Sequence, residues 1–179
     1  MKIEAIPELA LTAQDDAQIG ALLDIAFADN STGGFGGRSY YKQRHHLRII
    51  MRDEGRIVGH IALLFRAIQV GAVHTQIVGL AEVATHPDLG GRGIATHLLK
   101  EAIAQSRQSL ATFMVLFGDH PIYAKHGFET MPNMLRYVVM DSSKTATLTS
   151  EVRDGLMVLP LRDAQWDTSA TVDLLGHLF

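Results

Sequence analysis

The sequence predicts an α/β protein, one mixed sheet with helices on its faces, and three observations predict it. Residues Leu47–Asp53, Arg56–Ile68 and Val73–Thr85 are rich in Ile, Val and Leu and break only at Asp53-Glu54-Gly55 and near Gly71, the pattern of an antiparallel meander. The third run leads through a glycine-rich turn into an amphipathic helix from about Gly91 to Ser106. A compact apolar run, Ala111–Phe117, comes next, and strand, helix, strand in that order implies a parallel pair with a right-handed crossover.

The remaining elements follow in chain order. Lys2–Ile6 reads as a short strand, and Thr12-Ala13-Gln14-Asp15 as a capping box that opens a helix. Ile19, Leu22, Leu23, Ala26 and Phe27 recur at helical spacing and form its core face. Gly33-Gly34-Phe35-Gly36-Gly37 is either a plain linker or a loop that closes over an acceptor. On the second helix Ile94, Ala95, Leu98, Leu99, Ala102 and Ile103 make the buried stripe, while Lys100, Glu101 and Gln105 face water. Asp119–His126 reads as a short helix, Leu135–Met140 and Leu156–Leu161 as strands, and Ser142–Glu151 as a polar connection. The expectation is a single domain over 1–179. Its C-terminal tail, 163–179, carries Trp166, Leu174, Leu175, Leu178 and Phe179 and is apolar enough to pack on the acceptor side or on a second subunit, giving a homodimer.

Composition narrows the function classes. With 179 residues, 47% of them hydrophobic, the chain can bury a sizeable core. The formal net charge is −3, and no dense Lys/Arg run points to nucleic acid. The nearest candidate, Arg38–Arg52, interleaves Tyr40, Tyr41, Lys42, Arg44, His45, His46 and Arg48 and fits an exposed helix flank or the wall of a substrate loop better than a phosphate track. There is no cysteine, which removes disulfides, thiolate catalysis and cysteine metal sites together. No run of 18 apolar residues and no basic-then-apolar N-terminus occurs, so no membrane partner is expected and the location is read as cytoplasmic. Among nine histidines no metal-ligand spacing appears, and no metal is expected.

The chemistry concentrates in the turn. Gly90-Gly91-Arg92-Gly93-Ile94-Ala95 places three glycines in four positions before a helix, where backbone can approach an anion and the helix end points free N–H groups and a positive dipole at it. A dinucleotide fingerprint begun at Gly91 would need glycine where Thr96 stands, and a Walker A loop would need a Gly-Lys-Ser/Thr that is missing. No Gly-x-Ser-x-Gly elbow supports a hydrolase. A bare helix N-terminus without a ligand is the alternative.

Together with Tyr123-Ala124-Lys125-His126-Gly127-Phe128, this turn resembles the GNAT superfamily of N-acetyltransferases. The superfamily's first signature is Gln or Arg, two variable residues, Gly, one variable residue, then Gly or Ala; Gly93 and Ala95 match it, and Gly90 departs from the expected Gln or Arg. The second signature, a Tyr four residues before Gly-Phe, is intact as Tyr123, Gly127 and Phe128. The resemblance implies a GNAT-like three-layer fold whose central mixed sheet splays open between the third meander strand and Ala111–Phe117. It further implies acetyl-CoA as acyl donor, the pyrophosphate on Gly90, Gly91, Arg92, Gly93, Ile94, Ala95 and Thr96, and the pantetheine arm paired with Val83, Ala84 and Thr85.

Acyl transfer to an amine needs a group that takes the ammonium proton and one that protonates the leaving thiolate. Tyr123 resembles the superfamily's general acid, with simple packing as its other reading. Glu82 is the carboxylate nearest the implied thioester and is either the base or an outward-facing surface residue, with His120 and His126 as other bases. A looser likeness to the nodulation N-acyltransferases rests on the early Thr-Gly-Gly-Phe stretch, Leu64–Gly71, the His-Pro-Asp-Leu lead into the turn, and Met157–Leu161 followed by Trp166. The expected function is N-acetylation of a primary amine on a small molecule or amino sugar; the alternative is a non-catalytic acyl-CoA binding or sensing module.

Overall fold

A computed structural model describes residues 1–28, 34–141 and 144–179. The chain divides into two compact units, one made of Met1–Leu64 with Ala81–Ala102, the other of Phe65–Leu80 with Ile103–Phe179. Ten strands are described: β1 (Lys2–Pro7), β2 (Leu47–Asp53), β3 (Arg56–Val70), β4 (Val73–Thr85), β5 (Phe113–Phe117), β6 (Glu129–Thr130), β7 (Met134–Asp141), β8 (Lys144–Val152), β9 (Leu156–Pro160) and β10 (Val172–His177). Three α-helices accompany them, α1 (Ala13–Ala26), α2 (Ile94–Gln108) and α3 (Pro121–Ala124). Strands β3 and β4 and helix α2 run through both units.

In the first unit β1, β2 and the leading half of β3 pair antiparallel, Ala5 opposite Ile49 and Ile49 opposite Ile61. Helix α1 begins where the capping box places it, with Thr12 Oγ1 accepting from the Asp15 N–H at 3.1 Å. Its Ile19, Leu22 and Leu23 pack with Ile50, Ile57 and Ala84, whereas Ala26 is exposed. The glycine segment is not a bare linker where it is described: Phe35 is buried with its ring against Phe27 and Tyr41, and the Gly37 N–H donates to the Asp24 carboxylate at 2.7 Å. Gly33 of that segment, and Thr32 of the Thr-Gly-Gly-Phe stretch, lie outside the described residues.

In the second unit the strand order is β6-β9-β5-β4-β3-β10-β7-β8. The sheet is mixed, since β4 with β5 and β10 with β7 are parallel while β5–β9 and β7–β8 are antiparallel. Every residue from Phe113 to Leu116 is buried, as expected of a strand covered on both faces.

Three strands differ from the sequence expectation. Lys144–Val152 is not a polar connection: it forms β8, with Tyr137 opposite Thr149 and Leu135 opposite Glu151. Its threonines suit an edge strand, but an almost wholly exposed strand has no apolar alternation to announce it. Glu129–Thr130 forms the two-residue β6. Val172–His177 inserts as β10 between β3 and β7, so that part of the tail lies within the sheet. Arg66 holds it there, donating to the carbonyls of Leu174 and His177 at 2.8 Å each, where Leu175 takes a left-handed φ of 49° and the register with β7 shifts.

Candidate functional site

The ladder between β4 and β5 covers Ile77–Leu80 against Phe113–Leu116, and β4 then runs on through Thr85. The conformation changes just past that point, because Glu82 adopts φ 52°. A non-glycine residue in the left-handed region costs on the order of 1 kcal/mol and persists only where its surroundings over-determine it. Here they do. The His60 ring lies with Nδ1 2.9 Å from the Glu82 carbonyl oxygen, the Tyr41 N–H donates to Glu82 Oε1 at 2.8 Å, and Arg48 Nη1 donates to Oε2 at 3.3 Å. The Glu82 side chain is only 6% exposed, so it is not the outward-facing surface residue that strand alternation allowed.

Arg48 organises this cluster. It is fully buried and spends its fork on Glu8 (Nε to Oε2 2.6 Å, Nη2 to Oε1 3.1 Å), on the Ser39 carbonyl (2.8 Å), on His60 Nε2 (3.2 Å) and on Glu82. Burial raises the Glu8 pKa, but the guanidiniums of Arg48 and Arg44 outweigh it and leave the carboxyl below its usual value. A carbonyl accepts only and a guanidinium donates only, so His60 carries its proton on Nδ1 and is neutral. Burial, helped by the Arg48 charge, pushes its pKa down to about 4. His45 completes the group, buried with Nε2 2.9 Å from Glu82 Oε1.

Sequence reasoning missed Arg48, His60, His45 and Tyr41 as partners of Glu82. One signal was present, since an arginine inside the apolar run Leu47–Asp53 needs charged partners. The stretch before that strand is a loop rather than a helix flank, with the Tyr40 ring stacked by the guanidiniums of Arg44 at 4.8 Å and Arg38 at 5.9 Å.

After Thr85 a single 3₁₀ turn, Pro87–Leu89, leads into the glycine turn. Gly91 and Gly93 have φ of 76° and 73°, and a Cβ on Gly91 would meet nothing within 4 Å. Helical bonding starts with His97 N–H to the Gly93 carbonyl at 3.0 Å, so the N–H groups of Ile94, Ala95 and Thr96 precede the ladder. Gly90 behaves differently: its own N–H turns back to the Pro87 carbonyl at 3.1 Å, so it contributes shape and not a donor. Arg92 is exposed, and Ile94 anchors the helix start in the core. Of Val83, Ala84 and Thr85, Ala84 points into the core beside α1 and the other two are partly exposed.

Tyr123 lies in α3, whose N-terminus is capped by His120 Nδ1 accepting from the Ile122 N–H at 3.2 Å. The Tyr123 carbonyl accepts from His126 and Phe128, and Gly127 (φ 90°) makes the reversal that buries Phe128. The spacing Tyr-x-x-x-Gly-Phe is thus a helix-ending motif that presses Phe128 edge-on to the Tyr123 ring at 6.1 Å. Burial and the nearby Asp119 charge raise the Tyr123 pKa, which keeps the phenol a proton donor. His126 Nδ1 contacts the Ile122 carbonyl at 2.8 Å, so both histidines beside Tyr123 commit a ring nitrogen to their own helix. Among the described residues no group of three or more His, Cys, Asp or Glu side chains could hold a metal, and no helix is long and apolar enough to cross a membrane.

The fold recurs in solved structures. A GNAT family acetyltransferase from Brucella melitensis, solved in complex with acetyl-CoA, superposes with a TM-score of 0.61 at 21% identity over 96% of this chain and 94% of its own. The N-acetyltransferase YhbS from Escherichia coli, solved with CoA, gives 0.61 at 19% identity over 97% and 88%. In sequence, YhbS of Escherichia coli strain K12, described as an uncharacterized N-acetyltransferase, is 31% identical over 77 residues, 43% of this chain and 45% of that protein. Nodulation protein A of Methylobacterium nodulans is 36% identical over 98 residues, 51% of this chain and 45% of its own length. The chain therefore spans about half the length of these sequence relatives. The mixed α/β sheet with flanking helices is the one these structures share, and the family model described as an acetyltransferase (GNAT) domain matches residues 10–131 across the glycine turn and Tyr123: the chain belongs to the GNAT acetyltransferase family.

Proposed function

We propose that the protein is an acetyl-CoA-dependent N-acetyltransferase acting on a primary amine of a small molecule or amino sugar. The observation that carries the reading is the glycine turn. Gly91 and Gly93 hold left-handed backbone, with open space where a Gly91 side chain would be and the His97 ring 3.5 Å from where a Gly93 Cβ would stand, directly ahead of three helix N–H groups that lack acceptors in their own helix. That arrangement suits a pyrophosphate, with Gly91, Arg92, Gly93, Ile94, Ala95 and Thr96 as the donor set. The end of β4 beyond its ladder with β5, Val83–Thr85, suits an extended amide-bearing arm on that side.

Bound there, acetyl-CoA would supply an activated acyl carbon. The chain's own groups do the rest. Tyr123, kept protonated by its surroundings, gives a proton to the departing thiolate, and the Glu82 group draws the proton from the acceptor ammonium. A non-catalytic acyl-CoA sensing module is the second reading, favoured by one observation: both oxygens of Glu82 already accept hydrogen bonds. Thiol release from acetyl-CoA against a panel of amines and amino sugars, with mass detection of the acetylated product, separates the two. Turnover with any acceptor supports the enzyme; tight CoA binding with no release across the panel supports the sensor.

A further inference from the structure

His45 stands out because nothing else explains it. It precedes β2, its side chain is 5% exposed, and its Nδ1 has no hydrogen-bond partner among the described residues. Its other nitrogen, Nε2, lies 2.9 Å from Glu82 Oε1, with the ring turned so that the N–H direction is poorly aligned on the oxygen. A carboxylate oxygen and a bare imidazole nitrogen at that separation would repel, so the Nε2 position carries the proton. In the neutral ring Nδ1 is then an unshared lone pair, buried and unpartnered. Poor alignment is usual in ligand-free sites and tightens when the complex forms.

We propose that Glu82 and His45 form a carboxylate–imidazole dyad in which His45 Nδ1 is the proton acceptor and Glu82 the positioning residue. This deepens the acetyltransferase reading and rests on it. Glu82 is poorly placed to take a proton itself, since Oε1 accepts from Tyr41 and Oε2 from Arg48. His45 has the free site. The charged and titratable groups of this cluster are Glu82 on β4, Arg48 on β2 and His60 on β3, and His60 is neutral and engaged at both nitrogens, so His45 is the imidazole of the pair with a nitrogen open to a proton. Glu82 fixes the tautomer and the ring orientation, as a carboxylate does for a catalytic histidine elsewhere.

The balance is R–NH3⁺ plus the thioester giving R–NH–acetyl, free thiol and H⁺. The ammonium loses one proton to His45 Nδ1 through water, the amine nitrogen bonds to the acyl carbon and the carbon–sulfur bond breaks. The thiolate is protonated, the second nitrogen proton leaves through solvent to balance it, and His45 returns its proton to solvent.

The test uses the full chain with ¹⁵N-labelled histidine. Two-bond ¹⁵N–¹H spectra, with His45 assigned by its loss in His45→Gln, are expected to show the Nε2–H tautomer in the neutral ring and a changed tautomer population in Glu82→Gln. A dominant Nδ1–H tautomer in wild type overturns the dyad, whatever the protein acetylates. In turnover, His45→Gln is expected to lower kcat at least about tenfold and to remove the ionisation that switches the rate on as pH rises, with KM for acetyl-CoA and the melting temperature near wild type. A wild-type pH profile in that variant overturns the proton role. Wild-type protein that shows the Nε2–H tautomer but releases no thiol with any amine upholds the dyad and rejects acetyl transfer.

Discussion

His60 Nδ1 lies 2.9 Å from the backbone carbonyl oxygen of Glu82, so a neutral buried imidazole holds the one left-handed residue of β4 in place. The same ring accepts from Arg48 at Nε2, 3.2 Å away. Protonation at Nε2 would set two donors against each other. The His60 pKa falls from 6.5 to about 4 on folding, so the unfolded chain binds this proton more tightly than the folded one. Its stabilising contribution is present in full above pH 6.5 and is lost as pH falls toward 4, up to about 3 kcal/mol. Urea unfolding of wild type between pH 7 and 4 is expected to show that loss. His60→Gln, which keeps a donor and an acceptor without titrating, should flatten the slope; an unchanged slope would show that other groups carry it.

Gly93 tests the phosphate turn. Its φ of 73° is strained for any β-branched residue. Gly93→Val is expected to weaken CoA binding by at least about tenfold through the lost backbone shape alone. Calorimetry on a variant whose circular dichroism matches wild type reads this, and unchanged affinity would remove the turn from the binding site.

Tyr123→Phe removes only a hydroxyl and leaves the ring against Phe128. Turnover should fall by roughly ten- to a thousandfold with near-normal affinity for acetyl-CoA if the phenol protonates the thiolate. Full activity with chemistry rate-limiting would return Tyr123 to the packing role its contact with Phe128 already gives it.

Glu82→Gln is nearly isosteric, yet the amide NH2 cannot accept from both Arg48 and Tyr41 as the carboxylate does. The variant is expected to lose turnover and to shift the rate–pH profile, while CoA affinity stays near wild type. Because Arg48 is wholly buried and loses one anionic partner while keeping Glu8, a stability loss of about 1–3 kcal/mol should accompany it. Denaturant melts and pH profiles measured on the same preparation separate the two effects.

Local chemistry carried much of this protein into view. Thr12 with Asp15 marked the start of α1, the Ile/Val/Leu runs marked β2 and β4 to the residue, and Gly91, Gly93 and Tyr123 announced themselves through backbone conformations and spacing that nearby residues impose. Those features depend on periods of two and 3.6 residues and on turn geometry, which are written in neighbouring positions. What the tertiary structure alone decided depends on partners far apart in sequence. β10 is set by its ladders with β3 and β7, with Arg66 tying the Leu174 and His177 carbonyls, and β8 by a partner strand that accepts a run with no buried face. The surroundings of Glu82 are assembled from Glu8, Tyr41, His45, Arg48 and His60, drawn from four separate stretches of chain. Whether a carboxylate faces water or sits among such partners is settled by strand register and burial, quantities that no local pattern of residues contains.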